Sequence, residues 1–196
     1  MRQYMRGVIT HGSGMQALID LSLHLVFSAV QPLWPAISLF PCLRHLDVSF
    51  SAESGTVDTS WLSSLPPSLR MLDLGSDDEI IIVGSGYLLP SLTYLMLRHA
   101  SKVVIDAVLP SLRELETENL VSTQLAGPRL QLPQLTRLCI CSDSVDIGDL
   151  QRMPRLQVLH FPGGPPAAAP GLAALSELTS LQLCLTSSED TGPVAE

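Results

Sequence analysis

The sequence predicts a solenoid, a chain wound into about eight stacked units. Three observations carry this. The frame P-x-L-x-x-L-x-L recurs at near-regular intervals. Apolar residues make up 46% of the chain but aromatics only 5%, so the core is built mainly from leucine, as stacked equivalent positions require. Fifteen prolines and thirteen glycines punctuate the chain too often for long helices.

The repeated phrase LPSL, at 89–92 and 109–112, is one part of this frame. Pro41 opens PCLRHLDV, Pro67 PSLRMLDL, Pro90 PSLTYLML, Pro110 PSLRELET, Pro133 PQLTRLCI and Pro154 PRLQVLHF. Without its proline the frame also fits QALIDLSL from Gln16 and SELTSLQL from Ser176. Successive starts lie 25, 26, 23, 20, 23, 21 and 22 residues apart. Alternate residues of a strand face opposite ways, so Leu72 and Leu74 are expected inside and Met71, Asp73 and Gly75 outside. Leu69 is expected to seal the turn into the strand, and proline to end the preceding segment and pre-set an extended entry. One unit cannot bury its own leucines; stacking contributes about 1.5–3 kcal/mol per fully buried Leu.

The L-x-x-L-x-L core at this period resembles the leucine-rich repeat family. The resemblance covers residues 16–186, the leucine-rich-repeat domain, between a poorly ordered 1–15 and a disordered tail at 187–196. It implies an α/β fold: a solenoid of about eight repeats, with a parallel β-sheet on the concave face. The convex face then carries short helix, 3-10, strand and loop segments. The family often has Asn eight residues after the first leucine. Here those positions are Ser51, Asp77, Ala100, Leu120, Asp143, Gly164 and Thr186. With its irregular period, the chain looks more like the intracellular repeats of plant immune receptors or ubiquitin-ligase adaptors.

Among the return segments, DTSWLSSLPP (58–67) has an N-cap-like start and predicts a short helix or 3-10 turn. The β-branched runs EIIIV (79–83) and KVVID (102–106) predict short convex strands. PGGPPAAAP (162–170) reads as a loop and GLAALSEL (171–178) as a short helix. The apolar run ALIDLSLHLVFSAV (17–30) follows Arg2 and Arg6 as a signal or anchor would, but Asp20 and His24 interrupt it. Gln31-Pro32 closes it too early for a membrane span.

The concave face is the family's usual binding surface. The middle outward position of each strand gives Ser22, Asp47, Asp73, Met96, Glu116, Cys139, His160 and Gln182, about 4.8 Å apart. Asp47 and Asp73 are thereby side by side, to be relieved by a partner's cation or by nearby Arg44 or Arg70. Glu114 is expected beside Arg137, and Glu118 beside Arg98, as two ion pairs. Glu116, between Met96 and Cys139, is left without a cation. With Tyr94 and Met96 it forms the expected centre of a contact patch, on which His160 also lies.

A net charge of −8 disfavours nucleic acid, which needs clustered Lys and Arg, and suits a protein partner with a basic patch. Four cysteines without CxxC pairing, and one Asn outside any glycosylation sequon, point to a reducing, cytoplasmic setting. Cys139, Cys141, Cys184 and His160 share a face, but Cys141 and Cys184 are about 9.6 Å apart by strand spacing, too far for one tetrahedral zinc. No metal or cofactor is expected. With neither a phosphate loop nor HExxH nor a nucleophile elbow, the expected role is a protein-interaction scaffold, not an enzyme. The alternatives are the substrate-recognition part of an F-box-type ubiquitin-ligase adaptor and the ligand-sensing fragment of an immune or membrane receptor. Nothing before Leu18 or after Leu185 reads as a cap, although the Trp34–Phe40 region is apolar enough to fold over an end. A fragment or self-association through uncapped ends is therefore expected.

Overall fold

A computed structural model of the chain describes residues 17–26, 37–51, 56–87, 89–125, 127–147, 150–161 and 172–183. The expected 1–15 segment, the 162–170 loop, the 187–196 tail, Cys184 and Trp34 lie outside the described residues. So do Gly164 and Thr186.

The chain is a parallel-strand β-solenoid of about five turns with almost no helix. Its first ladder is built from β1 (Asp20–Val26), β2 (His45–Ser51), β4 (Met71–Ser76), β6 (Tyr94–Arg98), the first part of β8 (Glu114–Leu125), the first part of β9 (Arg137–Ile147), β10 (Val158–Phe161) and β11 (Ser180–Leu183). Each pairs in parallel with the next. A second ladder joins β3 (Thr56–Asp58), β5 (Glu79–Tyr87), β7 (Lys102–Val108) and the later parts of β8 and β9. The runs EIIIV and KVVID form strands as expected. The later parts of β8 and β9, unforeseen, are strands as well. The α component is corrected: the described part of GLAALSEL, 172–178, holds only a 3-10 turn, Leu172–Ala174, and further turns of this kind lie at Ser60–Ser64 and Leu150–Arg152.

The frame proline has a definite task. Leu43 N donates to Phe40 O at 3.1 Å, Leu92 N to Leu89 O at 2.9 Å, Leu112 N to Leu109 O at 3.3 Å and Leu135 N to Leu132 O at 3.2 Å. Each is an i to i+3 bond with proline at i+1, where its fixed φ suits a β-turn. The bond also explains the leucine before the proline: Leu89, Leu109 and Leu132 are 6%, 1% and 0% exposed. LPSL is a β-turn with a buried residue at each end.

Two devices turn the corner from first ladder to second. After β4, Ser76 Oγ accepts from Asp78 N at 3.1 Å. After β6 and within β8, His99 and Asn119 adopt φ of 61° and 54°, a region that Asn and His visit more readily than most side chains. Ala100 and Leu120 then stand, buried, where the family often has Asn. Before the 3-10 turn at Ser60–Ser64, Thr59 makes no side-chain cap, contrary to the N-cap reading. Its hydroxyl instead donates to Ile81 O at 2.5 Å in the neighbouring turn.

The core is the stacked leucines. Leu46, Leu72, Leu95, Leu115, Leu138 and Leu159 lie in register, each at most 1% exposed, and Ile80, Ile82, Val103 and Ile105 face them from the second ladder. Among the described residues, the Thr123 hydroxyl is buried with no hydrogen-bond partner. Thr123→Val keeps the shape and removes the desolvated group. It is expected to raise stability by about 1 kcal/mol in urea unfolding.

Candidate functional site

The outward column of the first ladder stands as the frame implies. Ser22 pairs with Asp47, Asp47 with Asp73, Asp73 with Met96, Met96 with Glu116, Glu116 with Cys139, Cys139 with His160 and His160 with Gln182. The neighbouring outward column runs His45, Met71, Tyr94, Glu114, Arg137 and Val158. Arg98 and Glu118 pair in register at the next outward position, so the ten residues expected on this face lie on one surface.

Their partners differ from expectation. Arg98 is in register with Glu118 but does not bond it. Its guanidinium turns the other way and clamps Asp73, with Nε to Oδ1 at 2.8 Å and Nη2 to Oδ2 at 2.7 Å. Nη2 also reaches Asp47 Oδ1 at 3.3 Å. The register supplies the reason. Gly75 sits beside Arg98 on β4, so no side chain stands between the arginine stem and the two aspartates. Ser22 Oγ donates to Asp47 Oδ2 at 3.2 Å and extends the network to β1. The aspartate pair is thus relieved from within, by Arg98 and not by Arg44 or Arg70. Burial still pushes the Asp73 carboxyl above the usual carboxylate range, although Arg98 pulls it down.

Glu116 is corrected in the same way. Arg137 Nε lies 3.3 Å from Glu116 Oε1, and Tyr94 donates its hydroxyl to Oε2 at 2.9 Å. Burial, reinforced by this bond to a carboxylate, holds the Tyr94 phenol far above its ordinary value, so it stays a donor. Glu114 and Glu118, the two expected in ion pairs on this face, have none among the described residues. Met71, 41% exposed beside Tyr94, adds an apolar contact to the face that the frame marks only as outward-facing.

Cys139 Sγ and His160 Nδ1 approach to 3.3 Å. Such a pair suggests an activated thiol, but the surroundings oppose one. Burial, with Cys141 and the Glu116 carboxylate, pushes the Cys139 thiol up to about 11. Burial raises Cys141 too. Among the described residues no group of three or more His, Cys, Asp or Glu is arranged to hold a metal ion. A thiol at about 11 is ionised in only about one molecule in a thousand at pH 8. Iodoacetamide at that pH is therefore expected to label exposed Cys42 well before Cys139, as peptide mass mapping over time will show.

Comparison with protein-family models returned no matching model, and comparison with curated proteins returned no matching protein. No helix among the described residues is long and apolar enough to cross a membrane.

Proposed function

We propose that this chain is a leucine-rich-repeat solenoid of about eight repeats that binds a protein partner through the outward face of its first ladder. One observation carries the reading: a column of polar, charged and thioether side chains in unbroken register from β1 to β11, with Tyr94 in the column beside it, over a leucine core. Arg98, Tyr94 and Arg137 hold Asp47, Asp73 and Glu116 in place, so little side-chain freedom is lost on association. Glu114 and Glu118 are left for a basic group of the partner, beside the apolar contact of Met71, Tyr94 and Met96.

The test uses exposed residues whose replacement leaves the core intact. Wild type and a Met71→Glu, Glu118→Lys variant serve as baits in a lysate pull-down, with folding checked by circular dichroism. Proteins retained by wild type and lost by the folded variant support the reading. Identical protein sets on both baits remove the face from consideration.

A further inference from the structure

The edge at which the chain enters each strand forms a second surface, apart from the ladder face. The frame position after the first leucine reads Arg44, Arg70, Thr93 and Arg113 in successive turns. Its backbone is laddered: Arg70 N donates to Arg44 O at 2.8 Å, Thr93 N to Arg70 O at 2.8 Å and Arg113 N to Thr93 O at 2.9 Å. The position after the frame proline reads Ser68, Ser91 and Ser111. These two columns line an open groove of about 590 Å³ whose lining holds three arginines, no carboxylate and no aromatic ring.

The charge is concentrated here against the trend of the chain, which has 19 Asp and Glu to 11 Lys and Arg. Apart from Arg129, the other Lys and Arg side chains among the described residues are engaged. Arg98 and Arg137 hold carboxylates, Lys102 holds Glu79 at 2.8 Å, and Arg152 donates to Gly127 O at 2.5 Å. Arg44, Arg70 and Arg113 are exposed and have no side-chain hydrogen bond or ion pair among the described residues. Ser68 and Ser111 spend their hydroxyl protons on Leu43 O at 2.8 Å and Pro90 O at 2.5 Å. Recognition of an anion therefore falls to the three guanidiniums, Ser91 and the Gln134 amide.

We propose that this groove binds an extended acidic segment of a partner polypeptide. The arrangement of the guanidiniums in a row suits a chain bearing several charges better than a single ion. Arg44 and Arg70 are one turn apart, about 4.8 Å, and Arg113 lies two turns beyond Arg70, about 9.6 Å, so the three cations form a row and not a cluster. The full span of about 14 Å is that of four to five extended residues, at about 3.3 Å each. Guanidinium forks match carboxylates in pairs. Three cations in a chain of charge −8, without a ring for base stacking, suit a nucleic acid poorly.

The experiment is fluorescence polarisation of the whole chain with a labelled decapeptide of alternating Glu and Ser, beside its Gln counterpart. It is run in about 50 mM salt, where exposed charges are little screened. Wild type is expected to bind the Glu peptide about tenfold more tightly than the Gln peptide. Arg70→Glu is expected to abolish that preference, and Arg44→Ala and Arg113→Ala each to weaken binding about fivefold. Glu118→Lys, on the other face, is expected to leave this interaction intact, so the outcome is separable from the test of the ladder face. Unchanged circular dichroism confirms that the variants fold. The proposal is overturned by equal affinity for both peptides, by undiminished binding to Arg70→Glu, or by an oligothymidylate or inorganic phosphate displacing the Glu peptide at matched charge.

Discussion

Leu115→Ala is expected to lower the unfolding free energy by about 3 kcal/mol and the melting midpoint by about 6–12 °C. Leu115 is 0% exposed and lies in register between Leu95 and Leu138, so its loss opens a cavity against two neighbouring turns. A solenoid unit touches only its neighbours, which makes the damage local before it is global. Amide exchange is therefore expected to quicken first in β6, β8 and β9, and later in β2. Leu181 is the control. It occupies the same frame position as Leu115 but is 47% exposed on β11, which pairs with β10 alone among the described strands. Leu181→Ala is expected to cost about 1 kcal/mol or less. Equal losses at the two sites would overturn the stacked-core account.

Arg98→Ala is expected to cost about 2 kcal/mol at pH 7, less than a fully buried ion pair would, because water reaches Arg98 and Asp47. Arg98 is the shared cation of two neighbouring carboxylates; without it Asp73 and Asp47 repel at one strand spacing. The loss is expected to depend on pH. Burial raises the folded Asp73 carboxyl above its unfolded value, and Arg98 opposes that rise. Removing Arg98 raises it further. In the window between the unfolded and the folded value the native state binds more protons than the unfolded chain, so stability falls as pH rises. The gap between wild type and variant should therefore be smaller at acid pH and widen towards neutrality, as urea unfolding at several pH values will show. Adding Asp73→Asn to Arg98→Ala is expected to recover part of the loss. A gap that is constant with pH would mean that Arg98 acts through packing alone.

Much of the outcome was legible without coordinates. Strand alternation and a repeat in the low twenties specify which side chains face in, which face out, and which of them are lateral neighbours from turn to turn. The columns from Ser22 to Gln182 and from Glu114 to Arg137 follow from these two periodicities alone. The Pro-x-Leu phrase likewise carries its own turn chemistry.

Tertiary structure decided the rest. A guanidinium on its stem reaches farther than the ~4.8 Å between strands, so register alone leaves several carboxylates within range of each arginine. The absent side chain at Gly75 sends Arg98 to Asp73 and Asp47, and Arg137 is turned to Glu116, leaving Glu114 and Glu118 unpaired. The later half of β8, VSTQL, becomes strand because β7 and β9 each offer it an edge, and no local pattern shows that. The arginines of the entry edge likewise stand 26 and 43 residues apart in sequence; only winding at one turn per unit gathers them along one groove. Sequence alone determined the period and the facing of each residue, because both are local properties of the chain. Partner choice and exposure depend on what the adjacent turn presents, and only the stacked structure supplies that.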